Sequence, residues 1–207
     1  MSFNPDQIDW KKSGDLIPVV IQDNNTLQVL MLGYMNREAL FQTLETGRVT
    51  FYSRSKQRLW VKGETSNNFL NLISIAKDCD QDALLITANP EGPTCHLNRT
   101  SCFGEMTAPG LGFLAYLEQV IRQRAQDKPE GSYTAKLMQE GIIRLAQKVG
   151  EEGVEVALAA VAEPEKLAEE MADLWYHAMM VLVASDLDLL TIVTIMRGRH
   201  QNLQQRG

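Results

Sequence analysis

Residues 77–83 read KDCDQDA and set three carboxylates, Asp78, Asp80 and Asp82, around one thiol, Cys79. If ISIAKDCDQDALLI runs as one extended strand, alternation puts the three Asp side chains on one face and Cys79 on the other. One segment then serves a hard cation through oxygen and a soft one through sulfur. An EF-hand loop also begins D-x-D-x-D, but it needs Gly at the sixth position and Glu at the twelfth, where this chain has Ala83 and Asn89. For the aspartates alone, a solvated acidic turn between two strands is the competing reading. Further on, GPTCHLNRTSCF supplies Cys95 and Cys102 on loop-like sequence. Structural zinc sites use close C-x2-4-C pairs in sets of four, whereas the chain has 3 cysteines in total. Three protein ligands with an open fourth position is the pattern of a catalytic zinc, which lowers the pKa of its bound water to about 7. His96, beside Cys95, is a fourth ligand, a general base or a surface loop histidine.

Two further groups carry charge that chemistry could use. RSKQRLWVKGETSNN (54–68) combines Arg54, Lys56, Arg58 and Lys62 with Gly63 and the hydroxyls of Thr65 and Ser66. Cations, hydroxyls and amides at a glycine turn make an anion cradle; the alternative is an ordinary polar hairpin. GEEGVE carries Glu151, Glu152 and Glu155, and EEMAD carries Glu169, Glu170 and Asp173. Glu152 and Glu155 share a helix face, as do Glu170 and Asp173, and a turn at Pro164 lets the two helices return antiparallel so that the four carboxylates converge. Like charges so spaced cost each helix a few tenths of a kcal/mol, roughly, and a divalent cation reverses that penalty. Two solvated acidic faces are the alternative.

The elements that must position these groups change character once. From residue 17 to about 103 the apolar runs are short and β-branched or aromatic (IPVVIQ, LQVLML, VTFYS, RLWV, FLNLISIA, ALLITA), separated by turn formers. NREALFQTLETG interrupts them as a helix with Asn36 as N-cap, Leu40, Phe41 and Leu44 on one face, and Gly47 past its end. After TAPGLG the period is helical: Leu114, Leu117, Val120 and Ile121, a break at DKPEGS, then helices over about 132–161, 164–184 starting at Pro164, and 188 to the C-terminus. The expected fold is two domains, a β-rich α+β domain over 1–110 and an all-α bundle over 111–207. With 207 residues and 44% hydrophobic content the chain can build cores of that size. A net charge of −6 excludes a general nucleic-acid binder. The N-terminus shows no apolar leader and no membrane-length apolar run follows, so the expectation is a cytoplasmic protein with no membrane partner.

In order, WVKGETS, DCDQD and TCHLNRTSCF resemble phosphoribosyl-AMP cyclohydrolase of histidine biosynthesis. The resemblance implies hydrolytic opening of the adenine ring between N1 and C6 by zinc-bound hydroxide. Cys79, Cys95 and Cys102 become Zn2+ ligands, with His96 catalytic; Asp78, Asp80 and Asp82 become a Mg2+ site; and Lys62, Gly63, Glu64, Thr65 and Ser66 bind phosphate. It also implies a homodimer whose zinc site takes Cys79 from one chain and the other two thiols from its partner. The family loop reads T-S-G-N where this chain has TSNN; Asn67 tolerates a left-handed backbone, so the loop is expected to survive.

The helical half resembles the all-α nucleotide pyrophosphohydrolases, and SYTAKL, RLAQKVGEEGVE and DLWYH resemble phosphoribosyl-ATP pyrophosphohydrolase within them. That resemblance implies Mg2+ at Glu152, Glu155, Glu170 and Asp173, with triphosphate contacts from Lys136, Arg144 and Lys148. His177 either extends the acidic face or is a satisfied core histidine. Together the two resemblances imply a fusion of consecutive steps acting on small phosphoribosyl nucleotides. The competing readings are a house-cleaning nucleotide pyrophosphatase fused to a zinc-binding module and a zinc-stapled, non-enzymatic scaffold.

Overall fold

A computed structural model describes residues 3–104 and 108–204, so the start of the TAPGLG boundary and the end of the last expected helix lie outside the described residues. The chain forms two compact units, Met1–Phe113 and Leu114–Gly207.

The first unit is built on a sheet of order β2-β1-β6-β5, from β1 (Ile17–Asp23), β2 (Val29–Met35), β5 (Leu70–Lys77) and β6 (Leu84–Pro90). β1 runs antiparallel to β2 and parallel to β6, and β5 pairs antiparallel with β6. β3 (Thr50–Ser53) and β4 (Arg58–Val61) form a separate hairpin. Period-2 alternation in β1 sends Ile17, Val19 and Ile21 into a core with Leu40, Phe51, Leu70 and Ile86. Each such side chain, fully buried, contributes about 1.5–3 kcal/mol. Phe51 packs against Gly33, where an added Cβ would stand 2.4 Å from its ring.

Helix α1 (Arg37–Thr46) starts where Asn36 Oδ1 accepts the Ala39 amide at 2.8 Å and stops at Gly47, which is left-handed at φ 69°. Leu40 faces the core as expected, but Phe41 does not: its side chain is 49% exposed, and Ala39 and Thr43 complete the buried face.

Among the described residues the second unit has only helices as regular elements: α2 (Gly112–Asp127, whose first two residues belong to the first unit), α3 (Tyr133–Glu140), α4 (Ile142–Ala162), α5 (Leu167–Ala184) and α6 (Leu189–Gln204). The single helix expected over 132–161 is two, because Gly141 at φ 89° and ψ 175° breaks the ladder between them. Pro164 lies in the turn before α5 rather than in its first turn. Ile121, Leu137, Leu145, Met179, Met180 and Val183 form this unit's own core. Among the described residues no single helix is long and apolar enough to cross a membrane.

Candidate active sites

In the first unit, a cavity of about 430 Å³ is lined by the loop after β4 and by the segment after β6. From the loop come Lys62, Gly63, Thr65 and Ser66; from the segment come Cys95, His96 and Cys102. Gly63 is needed here: its φ is 96°, and a Cβ would meet the Asn68 backbone at 2.7 Å. Asn67 sits at φ 60° and its amide donates to the Gly63 carbonyl at 2.8 Å, so asparagine does carry the left-handed turn. Glu64 turns back onto its own loop, ion-pairing with Arg58 and accepting the Val61 amide at 3.3 Å; the Arg58 guanidinium holds its carboxyl below the usual range.

Lys62 is only 6% exposed, and its ammonium donates to the Asn68 carbonyl at 3.3 Å. Burial pulls its pKa down, opposed by the neighbouring thiols of Cys102 and Cys95. The Cys102 thiol is pushed up, first by burial and then by Cys95 beside it. The thiol-bearing segment is anchored on β2, with the Cys102 amide donating to the Leu30 carbonyl at 2.8 Å and Ser101 Oγ to the Val29 carbonyl at 2.8 Å. His96 Nδ1 stands 4.0 Å from Cys95 Sγ. Trp60, Asn68, Thr94 and Asn98 share the lining and were not singled out from sequence, although all four lie inside the quoted stretches.

The acidic segment is not one strand. β5 ends at Lys77 and β6 begins at Leu84, so residues 78–83 are the turn of a hairpin, and the alternation expected of an extended run does not apply. Asp78 Oδ1 closes the turn by accepting the Asp82 and Ala83 amides at 3.0 and 3.2 Å. Ligand oxygens of Asp78, Asp80 and Asp82 nevertheless come within 4.8 Å of one another. Lys12 ion-pairs with both Asp80 and Asp82, and its ammonium holds the Asp80 carboxyl below its usual range. Cys79 is exposed, 4.0 Å from Asp80 Oδ1, and does not line the cavity that holds the other two thiols.

In the helical unit, Glu152 and Glu155 on α4 meet Glu170 on α5 within 4.8 Å, while Asp173 stands exposed outside that group. Glu152 is 5% exposed; Lys148 Nζ, 2.8 Å away, depresses its carboxyl. Glu155 is pushed up, chiefly by Glu152, then by desolvation and by Glu170. Lys148 also holds Glu151 at 2.9 Å, and Arg144 reaches Glu151 at 3.0 Å and Glu140 at 3.7 Å. Lys136 is exposed on α3. His177 is a satisfied buried histidine, with Nδ1 2.9 Å from the Asp173 carbonyl and Nε2 3.0 Å from Tyr133 Oη. The donor chemistry fits metal ions: grouped carboxylates suit hard divalent cations, and paired thiols suit a softer one.

Two centres of different chemistry, each on its own compact unit, mark the chain as a bifunctional enzyme. Residues 31–104 match the family described as phosphoribosyl-AMP cyclohydrolase, and residues 114–200 match phosphoribosyl-ATP pyrophosphohydrolase. The chain is 56% identical over 196 residues to the histidine biosynthesis bifunctional protein HisIE of Escherichia coli (strain K12), covering 94% of this chain and 96% of that one. It is 54% identical over 197 residues to the protein of the same name from Xanthomonas campestris pv. campestris, covering 95% and 94%. Against the Salmonella typhimurium protein the identity is 52% over 196 residues, covering 94% and 96%. The chain belongs to this family of bifunctional histidine biosynthesis proteins. It hydrolyses phosphoribosyl-ATP to phosphoribosyl-AMP and pyrophosphate, and then hydrolytically opens the adenine ring of the product.

Proposed function

We propose that ring opening belongs to residues 1–110 and pyrophosphate release to residues 111–207, and that the first site is completed only in a cytoplasmic homodimer. Zinc held by Cys95 and Cys102 of one chain and Cys79 of the other would supply a hydroxide nucleophile at neutral pH. Around it, Lys62, Gly63, Thr65 and Ser66 receive the substrate phosphate, and His96, exposed in the cavity lining, moves a proton as general base. Glu64 serves the loop through Arg58. The carboxylates of Asp78, Asp80 and Asp82 hold one Mg2+, and those of Glu152, Glu155 and Glu170 hold another, with Asp173 joining when the cation is bound. Lys136, Arg144 and Lys148 meet the triphosphate, Arg144 and Lys148 exchanging their present carboxylate partners for phosphate oxygens.

The observation that carries the shared site is the separation of the thiols: Cys95 and Cys102 line one cavity while Cys79 lies outside it. The test mixes Cys79→Ala chains with Cys102→Ala chains, each inactive in ring opening, under conditions that let subunits exchange. Random pairing makes about half of the dimers hybrids, each with one intact site, so about a quarter of wild-type ring-opening sites should return. Zero recovery, with exchange confirmed separately, rules the shared site out.

A further inference from the structure

Arg54 belongs by sequence to the same basic stretch as Lys62, yet it lines a different cavity, one of about 630 Å³ walled by β2 and the β3–β4 hairpin. Its guanidinium carbon stands 3.9 Å from the centroid of the Tyr34 ring. Among the described residues it has no carboxylate partner, whereas Arg58 on the same hairpin is held by Glu64, and no Asp or Glu lines the cavity. Ser53 and Ser55 line it too, with their hydroxyls 3.4 Å apart. Ser53 Oγ accepts the Lys56 amide at 3.3 Å, so the pair keeps one hydroxyl proton to donate. A guanidinium seated on an aromatic face, with a hydroxyl donor in the same cavity, is suited to an anion. The cavity shares Met31 and Trp60 with the one that holds Cys95 and Cys102. Hairpin register explains how the two are joined. Phe51 pairs with Trp60 and Ser53 with Arg58, and just past the ladder the Lys62 amide donates to the Val49 carbonyl at 3.0 Å. Alternation therefore puts Ser53, Trp60 and Lys62 on one face. Lys62 stands four residues beyond the partner of Ser53, about 13 Å at roughly 3.3 Å per residue, with Trp60 midway.

We propose that Arg54, with Ser53 and Ser55, binds the second phosphate of phosphoribosyl-AMP, and that the purine lies against Trp60 between two anion sites. This rests on the Lys62 loop receiving the first phosphate. Phosphoribosyl-AMP carries two phosphates, each on its own sugar, and both sugars hang from one purine. Two such groups repel and cannot share one loop, and each needs donors of its own when it leaves water. The hairpin face supplies them: Lys62 and its loop at one end, Arg54 with two hydroxyls at the other, and a flat aromatic wall between, beside the thiols.

The test follows ring opening of phosphoribosyl-AMP by the full-length chain. Arg54→Gln should raise KM on the order of ten- to a hundredfold, the loss of a charge-assisted hydrogen bond, with kcat changed by less than about threefold. Arg54→Lys, which keeps the charge, should recover part of that loss. Zinc content by atomic absorption and subunit mass by sedimentation should stay at wild-type values in both. Ser66→Ala, in the loop, should also raise KM, and in the double variant the two effects should multiply, as for two separate phosphates. AMP has one phosphate and fills one anion site, so one of the two single variants should weaken its inhibition and the other should leave it within about twofold. An unchanged KM in Arg54→Gln overturns the proposal. Weaker AMP inhibition in both single variants does so too, since they would then hold the same phosphate, and so does loss of zinc or of subunit association in Arg54→Gln. Should Arg54→Gln fail to fold, Ser55→Ala, at an exposed position, decides by the same rise or constancy of KM. An unchanged KM in Ser66→Ala beside a raised one in Arg54→Gln would count against the Lys62 loop and sustain Arg54, so the two readings fail separately.

Discussion

Lys12 Nζ lies 2.7 Å from Asp82 Oδ2 and pairs also with Asp80, so an ammonium from ahead of β1 sits among the carboxylates of the β5–β6 turn. The arrangement offsets like-charge repulsion within the turn, and it places Lys12 in competition with any cation bound there. Lys12→Met should therefore tighten Mn2+ binding at Asp78, Asp80 and Asp82 by roughly threefold, the scale of an exposed ion pair, as read by calorimetry. Weaker binding in the variant would show that Lys12 supports the cation instead of opposing it.

Glu155 is held above the usual carboxylate range by Glu152 and Glu170, so the fold favours its protonated form. The cost of charging it is absent below the unfolded pKa, grows as pH rises through the carboxylate range, and is complete above the raised folded value. Without divalent cations, Glu155→Gln should raise Tm at neutral pH, and the gap should close as pH falls to about 4. The same variant should lose pyrophosphate release and keep ring opening. Loss of both activities in a folded variant would count against two independent centres.

Cys102→Ser should bind less zinc, measured by atomic absorption, and should fail to open the ring while its pyrophosphohydrolase rate stays near wild type. A zinc-free protein that still opened the ring would contradict the mechanism.

Gly63→Ala forces a Cβ to within 2.7 Å of the Asn68 backbone at a φ of 96°. A loss of about 1–3 kcal/mol in the stability of the first unit is expected, together with a higher KM for phosphoribosyl-AMP, measured by denaturant unfolding and steady-state kinetics.

Leu145 is fully buried among Ile121, Met179 and Met180. Truncation to Ala should cost about 2–5 kcal/mol, and on heating the variant should lose pyrophosphate release before ring opening.

Much of this architecture could be read from local pattern. Six strands and the caps of α1 followed from short β-branched or aromatic runs, turn residues, Asn36 and Gly47, because strand preference, turn chemistry and capping are properties of neighbouring residues. The motifs that named both activities were likewise contiguous. Local signals also misled. Phe41 lies on the apolar stripe of α1, but burial stops at Ala39, Leu40 and Thr43, because what covers a helix is decided by elements distant in sequence. Pro164 suits a first helical turn, yet the chain needs it in the bend before α5. Gly141 gave no warning, since an apolar period continues on both sides of the break.

DCDQD could be read as a strand or as a turn, and pairing of β5 with β6, closed by the Asp78 amide donating to the Ala83 carbonyl at 3.1 Å, decided for the turn. Sequence by itself determined which residue types were available for chemistry: three thiols, two groups of carboxylates, and a loop with lysine, glycine and hydroxyls. Only the tertiary structure decided their company. It set Cys95 and Cys102 in one cavity and Cys79 outside it, brought Glu170 but not Asp173 to Glu152 and Glu155, and seated Lys12 on Asp82 and His177 under Tyr133. Hydrogen bonds and ion pairs act over about 3–4 Å, and partners far apart in sequence reach that range only after the packing of two separate cores has folded the chain back on itself.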